Sequence, residues 1–137
     1  MTAANLAPSM QEWTKGLLPE LLGIVFTDAT PDKVVAQLPV RKDLCTIGDN
    51  LHGGAIMAFA DTLGAVAAIL NMPKGSRTTT IESKTNFIRG APAGTRITGE
   101  AVAVHKGRTT VVCQTTIRTE EGKLVALVTQ TQLVIAA

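Results

Sequence analysis

The sequence predicts an α+β fold in which one long antiparallel β-sheet wraps around a single buried α-helix, with a short helix near the N-terminus. Two observations carry that expectation. The run from about Gly53 to Asn71 is apolar nearly all round: Ile56, Met57, Phe59, Leu63, Val66, Ile69 and Leu70 are not confined to one stripe, so the rest of the chain must cover it. After that run almost everything reads as strand. "RTTTIESKTNFIRG", "TRITGEAVAVHK", "RTTVVCQTTIRT" and "KLVALVTQTQLVIA" are rich in Thr, Val and Ile, and the turn-forming "APAG", "KG" and "EEG" separate them.

The individual elements follow from local signals. Ser9 and Glu12 in "SMQE" have the spacing of a capping box, which predicts a helix running toward Leu18 with Pro19 near its end. "LLGIVFTDA" and "KVVAQLPV" are apolar or β-branched runs on either side of "TPD", which predicts a hairpin. The four later strands, each of about ten residues with short turns between them, predict an antiparallel meander. No internal repeat or low-complexity linker divides the 137 residues, so residues 1–137 are expected to form a single domain with one core.

Composition narrows the partners. With 13 basic and 11 acidic residues, three Phe, one Trp and no Tyr, the chain has neither a strong basic footprint nor a set of stacking platforms, and no nucleic-acid partner is expected. Cys45 and Cys113 lack metal-ligand spacing and disulfide density, so both are expected as reduced thiols and no metal is expected. The start, "MTAANLAPSMQEW", has no basic segment followed by an apolar one, which points to a cytoplasmic protein. Gly54 to Met72 is long enough to span a membrane, but a lone span with Asp61 near its middle is costly, and Gly53, Gly54, Gly64 and the many alanines suit close packing inside protein. No membrane association is expected.

Asp61 is the residue that most needs an explanation, because a carboxylate on an apolar helix must have a partner or a task. At the start of the same helix stands "HGG", His52 to Gly54. Gly53 and Gly54 carry no Cβ to obstruct a ligand, and the first N–H groups of a helix have no intrahelical acceptor, so this end can polarise a carbonyl and hold negative charge on its oxygen. The simpler reading of the glycines is close packing or a turn; Gly64 is read that way. Nine residues from His52 to Asp61 correspond to about 13 Å of rise and about 900° of rotation, which sets Asp61 far from Gly53 and on the opposite side of the helix. One reaction can use both only if a second subunit, related by a two-fold axis, brings its Asp61 to the first subunit's Gly53.

"HGG", an acid nine positions after the His, an alanine-rich helix and "NFIRGAPAG" leading into strands together resemble the hotdog-fold thioesterases of the phenylacetate-degradation and human thioesterase superfamily member 2 type, from about Thr46 to the C-terminus. The resemblance implies hydrolysis of an acyl-CoA thioester, aryl-acetyl or medium-chain, in a homodimer with shared sites; the sequence leaves open whether dimers pair further into a homotetramer through the Thr-rich faces of the long sheet. Coenzyme A is then part of the substrate, and no separate cofactor is implied. Asp61 is the implied general base or nucleophile. Relatives carry Asn or Gln six residues before the His, where this chain has Thr46; Thr46 is expected in a reduced version of that role, with Asn50 or Asp49 as substitutes or, on their own chemistry, as helix caps. The Ser that lines the site in human-type relatives aligns with Thr80, or with Thr79 if the preceding turn differs in length. His52 is expected to shape the helix start rather than transfer the proton, although its pKa suits acid–base work. Gly54 is expected beside the substrate, and Arg89, Lys106 and Arg108 are expected to meet the CoA phosphates unless they are ordinary solvated turn residues.

Two other classes compete with hydrolysis. A hotdog enoyl-CoA hydratase or dehydratase also uses a His and a carboxylate, but usually has a proline-containing segment where this chain has "GGAIMAFAD". A non-catalytic acyl-CoA-binding module would not need the acid, and this chain keeps it.

Overall fold

The computed structural model describes residues 3–137. Two short helices, α1 (Ala7–Trp13) and α2 (Leu18–Leu22), precede the hairpin β1 (Val25–Ala29) and β2 (Val34–Pro39); then come the long helix α3 (Gly53–Ile69) and the strands β3 (Arg77–Phe87), β4 (Arg96–Lys106), β5 (Thr110–Thr119) and β6 (Leu124–Ile135). All six strands join one antiparallel sheet in the order β1-β2-β4-β5-β6-β3. The long helix and the strands lie where the sequence puts them.

Three local expectations are corrected. The N-terminal helical region is two helices: Pro8 and Pro19 each sit in a first turn, where a missing N–H costs nothing, and Gly16 between them has φ +74°. Ser9 and Glu12 form no capping box. Asn5 Oδ1 instead accepts from the Ala7 amide and from the Ala29 amide, tying α1 to β1, while Glu12 pairs with Lys15 at 3.2 Å. The hairpin is present, but "LL" of "LLGIVFTDA" belongs to α2, because Gly23 at φ +88° ends that helix before the strand begins.

The four later strands are not a simple meander. Only β4-β5-β6 follow one another; β3 lies at the far edge, paired with β6. The segment between β3 and β4 therefore crosses the start of α3, where the Leu51 amide donates to the Ala91 carbonyl and the Ala93 amide donates to the Asp49 carbonyl. That crossing fixes the loop before α3 against the sheet.

Helix α3 lies across the concave face, with Ile56, Phe59, Ala60, Leu63, Gly64, Val66, Ala67 and Ala68 buried against β2 through β6. Its covering is incomplete, which departs from the all-round burial that its composition predicts. Gly54 and Met57 are exposed and Ala58, Asp61, Thr62, Ala65 and Ile69 half-buried, a stripe three or four residues apart that runs the length of the helix. Gly99 on β4 lets α3 approach the sheet: a Cβ there would stand 2.8 Å from Leu63 Cδ2 and 2.9 Å from the Phe59 ring, both side chains fully buried. Cys45 and Cys113 are both free, and burial pushes the Cys113 thiol up to about 11. Among the described residues no helix is long and apolar enough to cross a membrane. Gly99→Ala should overpack this contact and destabilise the fold by about 1–3 kcal/mol, seen as a lower midpoint in chemical denaturation; an unchanged midpoint would mean that the helix can lift off the sheet freely.

Candidate active site

The start of α3 is capped by His52. Its Nδ1 accepts the Gly54 amide at 2.7 Å, and its backbone carbonyl takes the Ala55 and Ile56 amides. Three of the first four helical N–H groups are thereby engaged, and the imidazole proton must sit on Nε2. This assigns the cap to His52 rather than to Asp49 or Asn50. Asp49 instead holds a left-handed turn at φ +59°, and the Asn50 side chain donates to the Gly48 carbonyl at 3.3 Å while packing over Gly90. The Gly54 amide, expected beside a substrate, is spent on the cap, and a Cβ at Gly54 would stand 3.0 Å from His52 Nδ1.

The Gly53 amide is different. Being first in the helix it has no intrahelical acceptor, and none of the described residues accepts from it. Gly53 borders a cavity of about 390 Å³ with Leu51, Ile56, Phe87, Ile88, Arg89 and Gly90. The lining is mostly apolar, with one guanidinium at the rim. A Cβ on Gly53 would stand 3.2 Å from the Phe87 ring. Larger concavities lie elsewhere, two of about 710 Å³ beside Arg41 and Arg96 and beside Trp13 and Met72 and one of about 630 Å³ beside Leu17 and Leu21, and none of the three contains a predicted site residue.

Asp61 sits two turns along α3, half-buried over β3, and its carboxylate is firmly held. Oδ1 accepts the Thr80 hydroxyl at 2.6 Å and the Gln130 Nε2 at 3.1 Å. Gln132 Nε2 donates to Thr80 Oγ1 at 2.6 Å, so the Thr80 proton is directed to Asp61, and the Thr78 hydroxyl is shared between Gln132 Oε1 at 3.0 Å and the Leu133 carbonyl at 2.9 Å. Thr80 rather than Thr79 reaches the acid because pleating turns Thr78 and Thr80 inward and Thr79 out. The bulge between Thr80 and Glu82 then turns Ser83 and Thr85 inward as well.

Gln130 and Gln132 were not among the residues singled out from the sequence. The signal was there: in "LVALVTQTQLVI" they alternate in phase with Val128 and Val134, and two carboxamides on the buried face of a strand need partners. Gly64 is also more than packing. A Cβ there would stand 2.6 Å from Gln130 Nε2, with the rest of the carboxamide closer still.

Gly53 and Asp61 do not meet within one chain. Eight steps separate them, about 12 Å of rise and only about 80° beyond two full turns, so they are not on opposite sides of the helix as expected. Both face β3, Gly53 toward Phe87 and Asp61 toward Thr80. Axial distance, not rotation, keeps them apart. The basic residues are also divided. Sheet register puts Lys106, Val111, Gln132 and Thr80 in one row, and Gly99, Ile117, Ala126 and Phe87 in another. Lys106 and Arg108 thus lie at the Asp61 end of the sheet and Arg89 at the Gly53 end, all exposed. Thr46 is exposed in the loop before α3, its amide bonded to the Asn50 carbonyl.

A long helix laid on a strongly curved antiparallel sheet, with an acid on the helix and an open amide at its start, defines the hotdog class of thioester-handling folds. Residues 48–126 match the model of the Thioesterase superfamily, and the chain belongs to that family. A candidate esterase of Vibrio cholerae is 34% identical over 114 residues, covering 83% of this chain and 75% of that protein. A mutant thioesterase of Pseudomonas aeruginosa superposes with a TM-score of 0.90 at 28% identity, over 96% of this chain and 94% of that one. A thioesterase-type protein of Streptococcus pneumoniae, solved with coenzyme A, shares the fold at a TM-score of 0.76 and 24% identity, over 82% and 86% of the two chains.

The His52 cap gives a test that separates structure from chemistry. His52→Ala should lower stability by about 1 kcal/mol, the usual cost of losing a helix N-cap, while His52→Asn, which keeps an acceptor, should recover most of it; equal stability of all three proteins in urea would contradict the cap.

Proposed function

We propose that this protein hydrolyses acyl-CoA thioesters in a homodimer with two shared sites, each taking Gly53 from one subunit and Asp61 from the other. The observation that carries this reading is that the one free amide at the helix start and the one held carboxylate of α3 lie about 12 Å apart in a single chain, too far to act on one carbonyl. A two-fold axis that lays α3 antiparallel to its copy closes that distance.

The surface around β3 supports such a pairing. It is an edge strand of eleven residues whose outer backbone groups have no partner strand, and Ile81, Phe87 and Ile88 around it are more than half exposed. Met57 is exposed one turn before Asp61, and the half-open stripe of α3 borders β3 where Asp61 meets Thr80. A second copy would cover the edge, the stripe and the open side of the Gly53 cavity together.

The chemistry then assigns a part to each group. The thioester oxygen accepts the Gly53 N–H, and the helix dipole stabilises the negative charge that develops on it. The partner's Asp61 either removes a proton from the water that attacks the acyl carbon, or attacks that carbon itself and is released by water. In both routes the C–S bond breaks, water supplies the carboxyl oxygen, and the sulfur leaves with a proton as free CoA. Thr80 orients the acid. Thr46 and Asn50 stand on the loop beside the helix start, where a hydroxyl and a carboxamide can guide water or the thioester. Arg89 from one subunit and Lys106 and Arg108 from the other are the cations available to the phosphates, and the coenzyme A held by the pneumococcal neighbour supports that class of leaving group.

Thiol release from a panel that includes phenylacetyl-CoA and octanoyl-CoA tests the reaction, with hydration of an enoyl-CoA followed in the same buffer. Hydrolysis without hydration is expected, and Asp61→Asn should lower turnover at least about a hundredfold in a folded protein. Hydration without thiol release, or near-normal turnover by the folded variant, would overturn the assignment.

A further inference from the structure

We propose that Gln130 is a positioning residue for the acid: its carboxamide, seated in the space that Gly64 leaves open, ties down Asp61 Oδ1 and leaves Oδ2 as the reacting atom. This rests on the reading of Asp61 as base or nucleophile. The Gln130 Nε2 is 3.1 Å from Oδ1 and 3.4 Å from the Asp61 backbone carbonyl, so one NH₂ group spans the side chain and the main chain of the same residue. With the Thr80 hydroxyl on the same oxygen, Oδ1 has two donors, whereas none of the described residues donates to Oδ2. A carboxylate held by one oxygen only keeps a single orientation and offers the other oxygen to water or to an acyl carbon.

Energetics argue that this is the reason for a glutamine here. Gln130 is fully buried, and its Oε1 has no hydrogen-bond partner. An orphaned buried oxygen is destabilising, and an apolar side chain of the same shape would fill the site at no such cost. Its neighbour Gln132 is also fully buried but has both ends engaged, with Thr78 on Oε1 and Thr80 under Nε2. Gln130 therefore contributes through Nε2 alone, and Nε2 points only at Asp61. Gly64 completes the arrangement from the helix side, since any Cβ there would displace the carboxamide.

Steady-state thiol release, measured on whichever of phenylacetyl-CoA and octanoyl-CoA the wild type cleaves faster, tests this together with thermal melting. Gln130→Met keeps the volume and removes the donor: kcat should fall about tenfold to a hundredfold with KM within about twofold, and the melting temperature should shift little, because the bond lost from Asp61 and the orphaned oxygen removed with the carboxamide act in opposite directions. A residue that serves only packing would show the opposite pattern. Gly64→Ala should reproduce the loss of kcat, and adding it to Gln130→Ala should cost nothing further, because the group it displaces is gone. If folded Gln130→Met keeps wild-type kcat while Asp61→Asn is inactive, the positioning role is wrong and the acid stands. If Asp61→Asn is itself active, the reading beneath both fails.

Discussion

The rest of the molecule is arranged around one carboxylate kept half-buried on an apolar helix. Asp61 is tolerable there because Thr80 and Gln130 supply donors from two strands, and those donors exist because β3 pairs with β6 rather than with β4. A simple meander would separate the two strands. The crossover between β3 and β4 also anchors the loop that presents His52 and Gly53. Thus one feature of connectivity serves both ends of the proposed site.

The two ends are built by opposite means. At the Gly53 end the structure removes groups: no Cβ, no acceptor for the amide, and neighbouring N–H groups satisfied by His52 so that only one is left available. At the Asp61 end it adds them, with donors running from Gln132 through Thr80 to the acid and a second reaching it from Gln130. The half-open stripe of α3 and the exposed apolar residues near β3 lie between these ends. Such a face is costly to leave in water, and covering it with a second copy would bring opposite ends of two chains together.

Much of this was legible in the sequence because it depends on short-range patterns. The all-round apolar run of α3 and the Thr- and Val-rich strands follow from hydrophobicity and β-propensity, and Asp61 stands out because a charge in that run has no local excuse. What escaped depends on contacts distant in sequence. Gln130 and Gln132 are 69 and 52 residues from Asp61 and Thr80, the groups they serve, and nothing near them in sequence names a partner. Gly64 looked like packing because its constraint comes from Gln130 on β6. The choice of Thr80 over Thr79 needed the register of β3, and the split N-terminal helix followed from Pro8 and Pro19 acting as starts rather than stops.

The central claim is that the amide and the acid of each site come from different subunits, and subunit exchange tests it most directly. Asp61→Asn and Gly53→Val, each folded and inactive alone, are mixed under conditions in which labelled subunits are seen to exchange. A mixed dimer then holds one site with both defects and one with neither, and activity should return toward about half of the wild-type value per mixed dimer. Demonstrated exchange with no return of activity would contradict the shared site.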